Sequence, residues 1–141
     1  MSRVITYSRN VFLPLTFVCR NACGYCIFRR KPGDGCVLPP GEVRDILKRG
    51  AQTGCTEALF TFGEHPEEVP GFLPYLEQYG YTSILEYCHA MAEEALRSGL
   101  LPHTNAGVMT FDEMRYLSDI NASMGLMLET TADIPAHRNC P

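Results

Sequence analysis

Val11-Phe12-Leu13-Pro14-Leu15-Thr16-Phe17-Val18-Cys19-Arg20-Asn21-Ala22-Cys23-Gly24-Tyr25-Cys26 passes directly from an apolar, strand-like run into a cysteine-rich segment. Residues 11–18 are rich in the β-branched and aromatic types that suit a pleated, buried surface, and they predict a first strand despite Pro14. Residues 19–39 carry the three cysteines, basic residues, Pro32, Gly33 and Gly35, and read as one long loop. Loops of this length in a compact domain usually carry function. The spacing C-x3-C-x2-C lets three thiolates face one small centre if the backbone wraps, and Gly24 relaxes the tightest point. Thiolates are the usual ligands of iron–sulfur clusters. Three of them leave one position open, as a catalytic metal site requires.

Outward from this segment, strand-like and helix-like patterns alternate. Val43, Ile46, Leu47 and Gly50 recur at helical spacing over 42–53, after Pro39-Pro40 and before Gly54. Residues 57–62, EALFTF, predict a second strand, followed by the turn Gly63-Glu64-His65-Pro66 and a Pro-punctuated stretch to Gly80. Residues 82–98 are the clearest helix. Ile84, Cys88, Met91 and Ala95 line one face, Leu85, Ala92 and Leu96 flank it, Ser83 and Glu86 have capping-box spacing, and Gly99 stops it. A third strand is predicted at 100–105. Thr110 and Glu113 open another helix to about Asp119, with Phe111, Met114 and Leu117 facing inward, and a fourth strand is predicted at 124–129.

Strands alternating with helices imply βαβ units, a parallel sheet and right-handed crossovers. Four such units make an α/β fold equivalent to the first half of a TIM-type (β/α) barrel, a complete barrel being typically about 250 residues. The expectation is therefore one domain, 1–141, truncated on its C-terminal side. Chemistry in such folds sits where strands end. That singles out Glu64 after the second strand, Asn105 at the end of the third and Glu129 at the end of the fourth. His103 and His137 fall in the same rim region. Arg20, Arg29, Arg30 and Lys31 read as a solvated basic rim, and Cys36, Cys55, Cys88 and Cys140 as ordinary small residues.

Composition narrows the function classes. The chain has 141 residues, is 45% hydrophobic and 20% charged, and carries a net charge of −4, which describes a soluble globular domain. Lys and Arg are not massed as a nucleic-acid stripe would need. No apolar run approaches the roughly 18 residues of a membrane span. The N-terminus has no signal-peptide core, so a cytoplasmic location is expected. Seven cysteines, an odd number, favour metal or redox chemistry over a disulfide framework. A zinc module using Cys36 as fourth ligand is the bland alternative, but C-x3-C-x2-C is an unusual zinc spacing.

The motif Cys19-x3-Cys23-x-Tyr25-Cys26 after a first strand resembles that of the radical S-adenosylmethionine superfamily. The resemblance implies a [4Fe–4S] cluster on Cys19, Cys23 and Cys26, with S-adenosylmethionine completing the open iron as a co-substrate. It places Tyr25, Gly63, Glu64, Asn105 and Glu129 around that cofactor. The superfamily's Gly-Gly-Glu-like turn is loosened here, because Phe62 stands where the first Gly would be.

Longer stretches are similar to the deazaflavin-forming synthases of the superfamily: Tyr7-Ser8-Arg9-Asn10-Val11-Phe12-Leu13-Pro14-Leu15-Thr16, Glu57-Ala58-Leu59-Phe60-Thr61-Phe62-Gly63-Glu64, Leu101-Pro102-His103-Thr104-Asn105-Ala106-Gly107 and Asn121-Ala122-Ser123-Met124-Gly125-Leu126-Met127-Leu128-Glu129. That resemblance implies a lyase acting on a small-molecule substrate, the adduct 5-amino-5-(4-hydroxybenzyl)-6-(ribitylimino)-dihydrouracil. The adduct would close to a deazaflavin with loss of ammonia, in coenzyme F-420 biosynthesis. It also implies two partners, an adduct-forming radical enzyme subunit and an electron donor of ferredoxin or flavodoxin type, and neither nucleic acid nor membrane. Two alternatives stand beside it. One is another superfamily enzyme, either the adduct-forming partner or a biotin-synthase-like relative. The other is a non-enzymatic iron–sulfur or zinc module.

Overall fold

Four strands lie side by side in chain order, each parallel to its neighbour: β1 (Asn10–Thr16), β2 (Glu57–Phe62), β3 (Leu101–Asn105) and β4 (Ser123–Gly125). The structure is a computed structural model and describes residues 4–127 together with residue 131. The crossovers carry α1 (Pro40–Gln52), a 3-10 turn at Pro66–Glu68, α2 (Leu73–Glu77), α3 (Ile84–Arg97) and α4 (Phe111–Ser118). This is the parallel α/β arrangement of a partial TIM-type barrel, as the alternation predicts.

Side-chain alternation gives the sheet two unlike faces. Leu13 and Leu15 from β1, Ala58, Phe60 and Phe62 from β2, and Thr104 from β3 are buried. They join Val43 and Leu47 of α1 and Tyr87, Cys88, Met91, Ala92 and Ala95 of α3 in one core. Gly50 lets α1 sit close to β1, since a Cβ there would lie 2.9 Å from Val11 Cβ. The opposite face holds Phe12, Leu59, Thr61, Leu101, His103 and Asn105, all half-buried or exposed. In register it forms two rows, Phe12–Leu59–His103–Ser123 and Pro14–Thr61–Asn105–Gly125.

Several expectations need correction. β1 ends at Thr16, not residue 18. There the Thr16 hydroxyl accepts from Val18 N (3.1 Å) and donates to Cys36 O (2.7 Å), bending the chain out of the ladder. β4 is Ser123–Gly125, so Leu126 and Met127 lie outside the strand. The rest of the expected strand, with Glu129, falls outside the described residues. On α4 only Leu117 is buried, while Phe111 and Met114 are exposed. A two-turn helix beside a three-residue strand has room to lay down a single side chain. α3 buries Tyr87, whose hydroxyl donates to Leu38 O at 2.5 Å, and leaves Leu96 exposed.

The Thr110–Glu113 capping box is complete. At α3 the box is skewed: Ser83 Oγ accepts from Glu86 N, whereas Glu86 Oε2 accepts from the backbone and hydroxyl of Thr82. Among the described residues no helix is long and apolar enough to cross a membrane.

Candidate active site at the strand ends

The loop after β1 folds back along the strand that launches it. Leu38 N donates to Leu15 O (2.8 Å) and Arg30 N to Phe17 O (2.9 Å), closing residues 17–38 into a flap. Arg30 Nη1 donates to the carbonyls of Ile27, Phe28 and Arg29, and Phe17 stacks on Phe28 with ring centres 5.9 Å apart. Within the flap Cys26 N donates to Cys23 O (3.1 Å), a tight turn that returns the third cysteine toward the second. Cys19 and Cys23 are half-buried and Cys26 is exposed, and all three are free thiols. Burial pushes the Cys23 thiol up from its ordinary value; a hydrogen bond with Tyr25 opposes the shift, and the neighbouring Cys19 and Cys26 thiols add to it. Among the described residues no three His, Cys, Asp or Glu side chains are gathered closely enough to hold a metal ion in this ligand-free chain.

The end of β2 is locked against the start of this loop. Gly63 N donates to Thr16 O (3.1 Å), and Arg20 N donates to Glu64 O (2.9 Å). A Cβ on Gly63 would lie 2.0 Å from Val18 O and 2.7 Å from Cys19 Cβ, so glycine is required for the approach. The Glu64 carboxylate then joins three segments. Its Oε1 accepts from Arg20 Nε (3.0 Å) and Nη2 (2.8 Å), and its Oε2 accepts from Val108 N (3.0 Å). Arg20 Nη1 donates in turn to Glu68 (2.9 Å). Burial of Glu64 favours the neutral acid, but the Val108 N–H, Arg20 and Asn21 outweigh it and hold the carboxyl below the ordinary carboxylate value. Gly107, at φ +77°, leaves the space this carboxylate fills, since a Cβ there would come 2.8 Å from Glu64 Oε2.

Asn105 ends β3 on the open face of the sheet, beside Thr61 and Gly125. Its Oδ1 meets His103 Nε2 at 3.3 Å, and His103 Nδ1 meets Ser123 Oγ at 2.6 Å. The strand ends thus bring Gly63, Glu64 and the residues just past Asn105 to the rim that carries the cysteine loop. Arg20, expected in a solvated rim, instead clamps Glu64. Its position between two candidate ligands was the available signal. Ser123 and Gly125 gave no signal, because their role depends on strand register.

No protein-family model matches the chain. Curated relatives do. The chain is 66% identical over 136 residues, 96% of its length, to a protein of Methanoregula boonei named 7,8-didemethyl-8-hydroxy-5-deazariboflavin synthase. The chain is homologous to the 7,8-didemethyl-8-hydroxy-5-deazariboflavin synthases. Proteins of the same name from Methanoculleus marisnigri and Methanocaldococcus jannaschii are 58% and 50% identical over 99% and 97% of the chain. The chain spans about two-fifths of the length of these synthases, 41% for the first and 39% for the last.

Proposed function

We propose that this chain forms the cluster-binding part of a 7,8-didemethyl-8-hydroxy-5-deazariboflavin synthase. The identity of 66% over 96% of the chain carries the reading. The donor chemistry agrees with it, because a loop carrying three free thiols starts against a glycine that admits no side chain. In this reading Cys19, Cys23 and Cys26 hold a [4Fe–4S] cluster, and Tyr25, Gly63, Glu64, Asn105 and Glu129 hold S-adenosylmethionine. When bound and reduced by a ferredoxin- or flavodoxin-type donor, the cluster and cofactor would supply radical chemistry for removing a hydrogen atom from the substrate. The substrate is the hydroxybenzyl–ribityl uracil adduct delivered by a partner radical enzyme, and the product is the deazaflavin, with ammonia lost. The reaction belongs in the cytoplasm, in F-420 biosynthesis.

The chain's own residues have distinct tasks here. Cysteine must lose its proton to bind metal. Cys23, whose thiol burial pushes up from its ordinary value, therefore releases a proton on loading. Gly63 keeps Cys19 against β2. Arg20 and Glu64 fix the loop to the ends of β2 and β3. Arg20, Val108 N and Asn21 already engage the Glu64 carboxylate, so a cofactor ammonium would displace one of them.

Anaerobic assay of the complete chain with S-adenosylmethionine, reductant and the adduct tests the function. Methionine, 5′-deoxyadenosine and a fluorescent deazaflavin are the expected products. Cofactor cleavage without deazaflavin would point to a different substrate, and no cleavage at all would end the reading.

A further inference from the structure

The open face of the sheet carries a continuous polar chain outside the cysteine–Glu64 rim. The Asn105 carbonyl can only accept, so His103 Nε2 bears the hydrogen that it donates across 3.3 Å. In the neutral ring Nδ1 is then the bare nitrogen, and it accepts from the Ser123 hydroxyl at 2.6 Å. Ser123 is exposed on that face. The strands leave space for the chain deliberately. A Cβ on Gly125 would lie 2.5 Å from Asn105 Oδ1 and 3.3 Å from His103 Nε2. A hydroxyl, an imidazole and an amide carbonyl stand in series, half-buried at Asn105 and exposed at Ser123. The lining around them is otherwise Leu59, Thr61 and Leu101, and among the described residues the carboxylate on the same face is that of Glu57, one row below and bonded to Ser8.

We propose that Ser123, His103 and Asn105 form a proton-donating relay that serves an amine leaving group of the substrate. This rests on the synthase reading, which requires ammonia to depart. When His103 is protonated, both ring nitrogens donate, Nε2 to Asn105 and Nδ1 to Ser123, and the Ser123 O–H is free to point at the substrate. The substrate C–N bond breaks with its electron pair going to nitrogen, while the electron pair of an adjacent C–H or N–H bond, its proton passing to water, closes a double bond to the carbon left behind. The Ser123 proton forms the new N–H bond of ammonia, and the His103 Nδ1 proton replaces it on Ser123. The ring is left neutral, with Nε2 still facing Asn105 Oδ1. No oxidant or reductant is consumed in this step. Ser123 is the group that touches the substrate, while His103 and Asn105 act through it as positioning residues.

The test uses the reconstituted complete chain. General acid catalysis is worth about 10²–10⁴-fold, so Ser123→Ala and His103→Ala should each lower kcat by about 100-fold or more, with KM and iron content little changed. Gly125→Ala, which crowds the Asn105–His103 bond without removing a relay group, should lower kcat likewise and, because it displaces Asn105, also raise the KM for S-adenosylmethionine. Added imidazole should restore much of the rate to His103→Ala, as it would not for a residue that only packs. Full kcat in His103→Ala, or a large loss that imidazole does not repair, would overturn the relay. Failure of the unsubstituted chain to cleave S-adenosylmethionine would instead overturn the synthase reading, and the relay with it.

Discussion

Glu64 is the residue on which the rim converges, since its carboxylate holds Arg20 of the cysteine loop and Val108 beyond β3 at once. Hydrogen bonds to charged groups contribute about 1.5–3 kcal/mol each where they are sheltered. The Arg20 side chain is about a third exposed (35%), so its share is smaller because solvent screens it. Because the folded Glu64 carboxyl is held below the ordinary carboxylate value, its stabilisation is complete at neutral pH and is lost as the pH falls through the folded value. Glu64→Gln should therefore flatten the acid limb of a stability–pH curve measured by denaturant unfolding, and a curve that keeps its acid limb would remove Glu64 from this role. Arg20→Gln and Glu64→Gln should also be non-additive, since each breaks the same tie. At the cysteines, Ala at 19, 23 or 26 should abolish cluster loading, whereas Cys36→Ala should leave it. Cys36 packs against the core and offers its carbonyl, not its thiol, to Thr16.

At the scale of elements, Gly63 decides whether β2 and the cysteine loop meet. Gly63→Ala places a methyl inside van der Waals contact of backbone and Cys19, and neither can retreat without opening the β1–β2 ladder. Cluster loading should fall severely in this variant, while the α3 helix remains intact by circular dichroism; normal loading would show that the close approach is dispensable. Thr110→Ala removes the side-chain half of a complete capping box, the hydroxyl that accepts from Glu113 N, and leaves the bond from Thr110 N to Glu113; it should cost about 1 kcal/mol in unfolding.

The strands and helices were legible because burial alternates with period two in β1 to β3 and with helical period in α1 and α3. The ends were less so. The Thr16 side chain, not hydrophobicity, stops β1, and side-chain bonds to a residue twenty positions away leave no local pattern. The helix face of α4 was misread for a related reason: Phe111 and Met114 have inward spacing, but the sheet beside them is narrow. Glu64 was visible as a strand-end carboxylate. Its ties to Arg20 and Val108 were not, since they join positions more than forty residues apart.

Across the whole molecule, the sheet divides the labour. One face is closed by α1 and α3 and supplies stability, with the cores of Phe60, Leu13, Leu15 and Tyr87 fully buried. The other face is open and lined by Phe12, Leu101, His103 and Asn105, and the rim above it carries the cysteine loop. A site built this way has rigid strands beneath its polar groups and a three-cysteine loop above them. The most direct measurement is anaerobic reconstitution of the complete chain, read by iron and sulfide content and by electron paramagnetic resonance of the reduced protein. A [4Fe–4S] cluster on three cysteines predicts roughly four irons and four sulfides per chain and a spectrum that shifts when S-adenosylmethionine is added. A chain that loads zinc instead, or whose cluster signal ignores S-adenosylmethionine, would contradict it.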